Sequence, residues 1–431
     1  MTDTKTSSLV PSAVYDRLRR RRAAERRFRF YGLAAVGLAL MMLVFLFVSI
    51  VRQGYSAFTE HVITLTVALD PAVIDPEGRR NSQSLSSADY QRLVRESLAA
   101  LFPDVTERAE RRLLFGLLSS GASHRLRDVV MREPARIGTT VVIETPLDDD
   151  ADRFLKGLVS PDVPESERRI KDRQIVWLKA LHAGGGIHNR FNTTLFTAGD
   201  SREPELAGIL GAVVGSFYLM LTTVVLSFPI GVAAAVYLEE FAPRNRFTDL
   251  IEVNINNLAA VPSVVFGLLG LAIFLDFFGL PRSASLVGGL VLSLIILPTI
   301  IIAARAALKA VPPSIREAAL GVGASKMQSI LHHVLPLAVP GIMTGTIIGM
   351  AHALGESAPL LVIGMVAFIV DVPVTPLDPT TVLPVQIYLW ADSAERAFVE
   401  RTAAAIMVLL IFLIAMNALA VIIRKKFERQ W

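Results

Sequence analysis

Residues 334–370 form a long apolar stretch with one acidic side chain, Glu356, and one histidine, His352. A carboxylate in hydrocarbon costs roughly 2.5–3.5 kcal/mol on insertion scales, so such a group faces a partner or a wet cavity. His352 lies four residues before Glu356 and shares its helix face. Pro359 breaks the helix just beyond, and broken helices beside polar groups expose backbone to a solute. Glu356, with His352 and Ser357, is therefore read as a gate or a polar contact to another helix. A substrate ligand and a carboxylate near the outer surface are the other readings.

The remaining reactive residue types offer less. The chain has no cysteine, which excludes disulfides, thiolate metal sites and thiol catalysis. His61, His124, His182 and His188 are scattered, with no helical pair at metal-ligand spacing. Asp148, Asp149, Asp150 and Asp152 could hold a cation, but read more simply as a solvated helix start, where acidic side chains suit the dipole. Gly321 to Lys326 does not satisfy the GxxxxGK[ST] phosphate loop. No catalytic or metal-binding residue is assigned, and no nucleotide site is expected in this chain.

The elements that must position these residues are membrane spans. The chain has 431 residues and is 52% hydrophobic, and the excess lies in long uncharged runs between charged stretches. Its net charge of +4 is too small to suggest nucleic-acid binding, so the placement of the basic residues matters more than their total. Apolar runs at 31–51, 206–238, 258–275, 283–304 and 402–423 each suit one crossing, and 334–370 suits one crossing plus a broken or re-entrant piece. The first run is too long for a signal-peptide core and reads as an uncleaved anchor.

Charge sets the orientation. Arg17, Arg19 to Arg22, Arg26, Arg27 and Arg29 precede the first run, and Arg424, Lys425, Lys426 and Arg429 follow the last. Basic flanks stay cytoplasmic, and about six crossings place both tails on that side. The arginine run also admits a reading as an anionic-lipid or nucleic-acid patch. Residues 52–205 mix acidic and basic side chains and cannot be membrane; they read as a small extracytoplasmic α+β insert. Strands are expected at 63–69 and 137–144 and helices at 87–102 and 106–130. Gly184-Gly185-Gly186 and 189–194 read as the linker back to the membrane. The expected fold is an all-α polytopic membrane protein carrying this insert, divided as 1–51, 52–205 and 206–431.

Between the fourth and fifth runs lies a short helix that could serve as a handle for a partner. Ser314 reads as its N-cap and Glu317 as a first-turn acid complementing the dipole. Glu317-Ala318-Ala319, then Gly323, then Leu335-Pro336 resembles the EAA loop of ABC-importer permeases. In that family this loop is the coupling helix that docks into a groove on the ATPase subunit. His333 stands where the family often has isoleucine. Ala260-Val261-Pro262-Ser263-Val264-Val265-Phe266-Gly267-Leu268 and Ala353-Leu354-Gly355-Glu356-Ser357-Ala358-Pro359-Leu360-Leu361 resemble the third- and fifth-span signatures of the PstA-type permeases of phosphate importers. Residues 196–431 and the anchor carry the resemblance, and the insert is similar to an extra domain found in one subgroup.

The resemblance implies a MetI-like permease core in the bacterial inner membrane. It implies an ATP-driven phosphate importer with a PstC-like second permease, a PstB-like ATPase dimer, a PstS-like phosphate-binding protein and, in addition, regulators of phosphate signalling. ATP and Mg would then belong to the ATPase, and this chain would need no cofactor. Glu317, Ala318, Ala319, Gly323, Leu335 and Pro336 are the expected coupling residues. Ser263, Asn257, Arg305, His352, Glu356 and Ser357 are candidates for the path or its gate. Asn254, Asn256, Asn257 and Ser263 could bond phosphate or neighbouring helices. Arg305 and Arg202 could meet phosphate or simply anchor at the membrane surface. Gly341, Gly345 and Gly349 form a small-residue ladder suited to close helix packing. A permease for another oxyanion, and a membrane sensor with an outer ligand domain, are the alternative functions.

Overall fold

The computed structural model describes residues 12–366 and 368–427, so the Arg429 element of the basic tail lies outside the described residues. The chain divides into two units after Gln53. The first contains most of helix α1 (Ser12–Gly54), whose apolar run is exposed along nearly its whole length. The insert and the remaining spans lie together in the second unit.

The insert is built on strand β1 (Thr59–Ala68), rich in Val, Ile and Thr as a half-buried strand favours. It is the centre of an antiparallel sheet ordered β2-β1-β3, with β2 at Thr140–Pro146 and β3 at Ile187–Phe191. Ile63 pairs with Thr145 on one side and Ile187 on the other. The third strand departs from the expected linker. The three glycines do close a helix, and Gly185 takes φ +74°, but the chain then returns as an edge strand. That strand buries only Ile187, so it has no alternating apolar pattern to announce it.

Helices α2 (Tyr90–Ala100), α3 (Arg108–Phe115), α4 (Gly121–Arg132), α5 (Asp149–Leu155) and α6 (Asp172–Ala183) surround the sheet. Leu93, Leu98, Leu126, Val130 and Leu178 pack with Ile63, Leu65 and Val67 into one core. The single helix expected over 106–130 is two. Between α3 and α4 the backbone pairs with the β2 end instead, Leu118 bridging Leu147 and Asp148 N donating to the Leu117 carbonyl at 3.0 Å.

Among the described residues, five helices are long and apolar enough to cross a membrane, or six if a bent pair is one span. Besides the first, these are α7 (Leu210–Val236, continued by a π-turn at Tyr237–Phe241), α10 (Ser285–Ala310), α12 (Leu335–Gly355) and α15 (Phe398–Phe427), which the short α14 (Leu383–Ala391) precedes. The expected straight span at 258–275 is instead the bent pair α8 (Arg246–Leu258) and α9 (Ser263–Gly270), turning through 101°. Pro262 supplies no N–H and disfavours helical backbone at Val261, which stops α8 before α9 restarts. The fifth region is one crossing followed by the short α13 (Ala358–Val362) and an irregular return, as expected.

Helix α10 is the hub. A methyl on Gly289 would lie 2.6 Å from Thr222 of α7, and one on Gly345 would lie 2.1 Å from Ala303 Cβ. Gly341 meets Ala307 in the same way, so the glycine ladder of α12 is the close-packing face that the spacing suggests.

Candidate functional site

The loop helix α11 (Pro313–Gly321) joins α10 to α12. Pro312 and Pro313 start it, with their fixed φ suited to a first turn. Ser314 is therefore inside the helix and makes no capping bond, and Glu317 lies beyond the first turn, so neither plays the terminal role expected of it. The helix is held from beneath. Arg316 Nη2 pairs with Glu240 Oε1 at 2.6 Å, while Nη1 and Nη2 donate to the carbonyls of Val311 and Leu308 at 2.8 and 2.9 Å. Ala319 is buried; Glu317 and Ala318 face outward. Leu320, Val322, Met327 and Leu331 are exposed apolar neighbours. Gly323 ends the segment at φ +89°, a left-handed turn that any other L-residue enters at a cost. Leu335 and Pro336 then begin α12, both half-buried.

Arg305 belongs to this platform. It is not a lone anchor: its guanidinium pairs with Glu252 of α8 at 2.5 Å and Glu239 at 3.4 Å, and Lys309 joins Glu239 at 3.5 Å. The π-turn carrying Glu239 and Glu240 thus ties α7, α8, α10 and α11 together. The sequence signal was the Glu239-Glu240 pair ending an uncharged run and facing a loop rich in arginine and lysine.

The two signature segments meet. Helices α9 and α13 pack so closely that a methyl on Gly267 would lie 2.8 Å from Pro359 Cα and 2.9 Å from its carbonyl oxygen. Each begins at a break in a span: Ala259 to Pro262 for α9, Glu356-Ser357 for α13. Among the described residues, Glu356 Oε1 pairs with His352 Nε2 at 2.8 Å, one turn back along the same helix face. Asn254 donates to Leu250 of its own helix at 2.8 Å. Among the described residues, the side chains of Asn256, Asn257 and Ser263 make no hydrogen bond, and the asparagines are exposed. They therefore do not bond neighbouring helices of this chain. Arg202 lies with its guanidinium carbon 5.4 Å from the Phe368 ring centroid.

A second charged cluster joins the insert to the spans. Asp148 caps α5, accepting from Asp150 N at 3.2 Å, and carboxylate oxygens of Asp148, Asp149 and Asp150 lie within 4.8 Å of one another. This is a helix start, but not a solvated one. Burial, with Asp149 and Glu205 beside it, pushes Asp148 up to about 8, and burial beside Asp150 pushes Asp149 up to about 6. Burial likewise pushes Glu205 up to about 7, against the Ser119 hydroxyl that donates to it at 2.6 Å. Asp152 differs: burial pushes it up, but His61 at 2.8 Å and Lys156 at 2.6 Å outweigh that and hold it low. Glu400, at the start of α15, accepts from Ser56 at 2.7 Å and pairs with Arg153 at 3.3 Å. Glu205 and Glu400 stand just ahead of two apolar runs, a position that marks a span mouth but not its partner.

Residues 227–430 match a family described as "Binding-protein-dependent transport system inner membrane component", and residues 15–165 match a "Domain of unknown function (DUF3333)". "Phosphate transport system permease protein PstA 1" of Mycobacterium tuberculosis (strain CDC 1551 / Oshkosh) is 31% identical over 222 residues, 52% of this chain and 72% of that protein. "Probable ABC transporter permease protein YqgI" of Bacillus subtilis (strain 168) is 34% identical over 155 residues, 36% of this chain and 52% of that one. The chain thus spans about half the length of YqgI, and 62% of the related YqgH. Among solved structures, an inward-facing form of the MetNI methionine ABC transporter is 18% identical, with TM-score 0.40, covering 52% of this chain and 95% of that one.

Proposed function

The chain belongs to the PstA family of phosphate-transport permeases, and from that premise we propose that it is a membrane subunit of an ATP-driven phosphate importer. One observation carries this reading: α11 presents Glu317 outward on a helix that Arg316 fixes to the end of α7 and Ala319 buries against the spans. A helix tied to three others transmits a push to all of them. In this reading a separate ATPase dimer, which binds ATP and Mg, docks on Glu317, Ala318 and the exposed Leu320 and Val322. Alternating access follows as the spans move with α11.

Phosphate would pass between this chain and a second, PstC-like permease, delivered by a PstS-like binding protein. The open polar face of Asn256, Asn257 and Ser263 beside the α8–α9 bend supports a path that a second chain completes. The close seat of α9 on α13 supports a gate in which Glu356 and Ser357 move with Pro359. Both tails would be cytoplasmic and the insert extracytoplasmic, in accord with the basic flanks.

The test is uptake of radiolabelled phosphate at micromolar concentration in cells whose only copy of the chain carries Glu317→Arg. Uptake should fall by at least about tenfold at normal membrane abundance, because a charge reversal at a docked surface costs of the order of several kcal/mol. Unimpaired uptake, with no effect when the whole chain is deleted, would remove phosphate import as its function.

A further inference from the structure

About half of the arginines of the insert have carboxylate partners, among them Arg92 with Glu96, Arg136 with Glu133, Arg168 with Asp172, Arg173 with Glu110 and Arg190 with Glu60. Four without one line a single cleft. Arg108, Arg111 and Arg112 fall at i, i+3 and i+4 of α3, so they share a face, and Arg95 of α2 looks into the same cleft of about 760 Å³. Among the described residues none of the four has a carboxylate within ion-pair distance. Arg111 donates to the Val105 carbonyl at 3.0 Å, and Arg95 lies over the Phe115 ring at 5.6 Å, leaving Arg108 and Arg112 without a side-chain bond. Like charges on one short helix repel, so this arrangement costs stability unless something answers it.

We propose that this cleft binds a small, multiply charged phosphate-type anion, either a free di- or triphosphate or the phosphate headgroup of a lipid. Guanidinium forks match phosphate oxygens in pairs, which is why arginine and not lysine suits such a wall. Ser120 and Ser123 add hydroxyls on the same wall, and α4 begins there, so its positive end adds to the field. The volume exceeds what one orthophosphate fills, and four cations can answer more than one phosphoryl group, on one polyphosphate or on neighbouring headgroups. Two acids also line the cleft, Glu203 and Asp148. Asp148 is pushed up to about 8, so it is mostly protonated at neutral pH and opposes an anion little. Glu203 is exposed and remains the one opposing charge. The site is also connected: Ser119 lines it and donates to Glu205 at 2.6 Å, on the segment that leads into α7. The inference goes beyond phosphate import and does not rest on it.

The experiment is calorimetric titration of the full chain, in nanodiscs of neutral phosphatidylcholine, with tripolyphosphate, pyrophosphate and orthophosphate. Saturable binding is expected, strongest for tripolyphosphate. Arg108→Ala/Arg112→Ala should weaken it by at least about tenfold, Glu203→Gln should tighten it, and Arg92→Ala/Arg136→Ala, which removes the same charge elsewhere on the insert, should leave it near wild type. Repeating the titration in phosphatidylglycerol nanodiscs separates the sources. Loss of polyphosphate binding there, with binding kept in neutral discs, identifies the headgroup as the occupant; unchanged binding identifies the free anion. No saturable binding up to millimolar tripolyphosphate in neutral discs, or equal weakening by the two arginine pairs, overturns the proposal. All these positions are exposed, so the variants fold, and thermal melting of each confirms it.

Discussion

Two clusters of charge sit at the ends of the spans, and they are built differently. Under α11 every acid meets a base: Glu239 takes Arg305 and Lys309, Glu240 takes Arg316, and Glu252 takes Arg305. At the insert the acids outnumber their partners. Asp152 and Glu400 are paired, but half-buried Asp148 and Asp149 crowd the buried Glu205, and among the described residues Asp149 Oδ2 and Glu205 Oε2 have no hydrogen bond. The first cluster gains by holding one geometry. The second stores repulsion that a proton relieves. A transmission element needs the former, whereas the latter is free to respond to the solution around the insert.

The two clusters should differ most in their response to pH. The folded values of Asp148, Asp149 and Glu205 are raised to about 8, 6 and 7, above the ordinary 3.8 and 4.5. The folded state therefore binds more protons than the unfolded one across that window, and stability must fall as pH rises. The contribution is full below about pH 4 and is lost as pH passes through about 8. Asp152 has the opposite sign and acts only on the acid side of its ordinary value. At roughly 1.4 kcal/mol per unit, the joint should lose a few kcal/mol between pH 4 and 8. Thermal melting of the purified chain should show this fall, and Asp148→Asn should flatten it. A melting temperature that rises with pH in the same interval would reverse the reading.

Next in size is Arg316→Ala, which strips the ion pair with Glu240 and two backbone carbonyl bonds at once. Removing one member of a buried pair costs about 3–5 kcal/mol, and the partial exposure of Arg316 reduces this to about 2 kcal/mol. The loss should be local. Hydrogen exchange should speed up in 311–323 and in the π-turn at Tyr237–Phe241, while the sheet of the insert stays protected. Phosphate uptake should fall even though Glu317 is intact. Uniform loss of protection across both regions would mean that the platform is not a separate unit.

How much of this was legible follows the physics of each part. Long uncharged runs specify spans because hydrocarbon tolerates nothing else, so α7, α10, α12 and α15 were readable to within a few residues. The break in 334–370 was visible at Pro359, but the equal break at Pro262 was read through as a span, because Val261 and Val264 keep the hydropathy high across it. Within the insert, β1 and β2 were visible from their Val, Ile and Thr content. Strand β3 was not, since its polar residues lie on an exposed edge. The ends of α11 were placed by Pro312 and Pro313, not by Ser314, because a proline needs no partner for its missing N–H. What sequence could not give was pairing across distance. Arg305 reads as an anchor until Glu239 and Glu252 are seen beside it, and nothing in the spacing of Arg108, Arg111 and Arg112 shows that Arg95 lines the same cleft.

Gly323 ends the α11 segment with φ +89°, and no atom crowds the position where a Cβ would stand. Gly323→Ala therefore meets no steric neighbour and changes only the cost of the left-handed turn, about 1 kcal/mol. Ion pairs under α11 are untouched. If the platform alone fixes the helix, hydrogen exchange at 315–319 should stay at wild-type rates while 322–326 loosens, and uptake should drop less than with Arg316→Ala. If exchange rises equally over both stretches, the turn shares in holding α11, and the clamped cluster under α11 differs less from the yielding one at the insert.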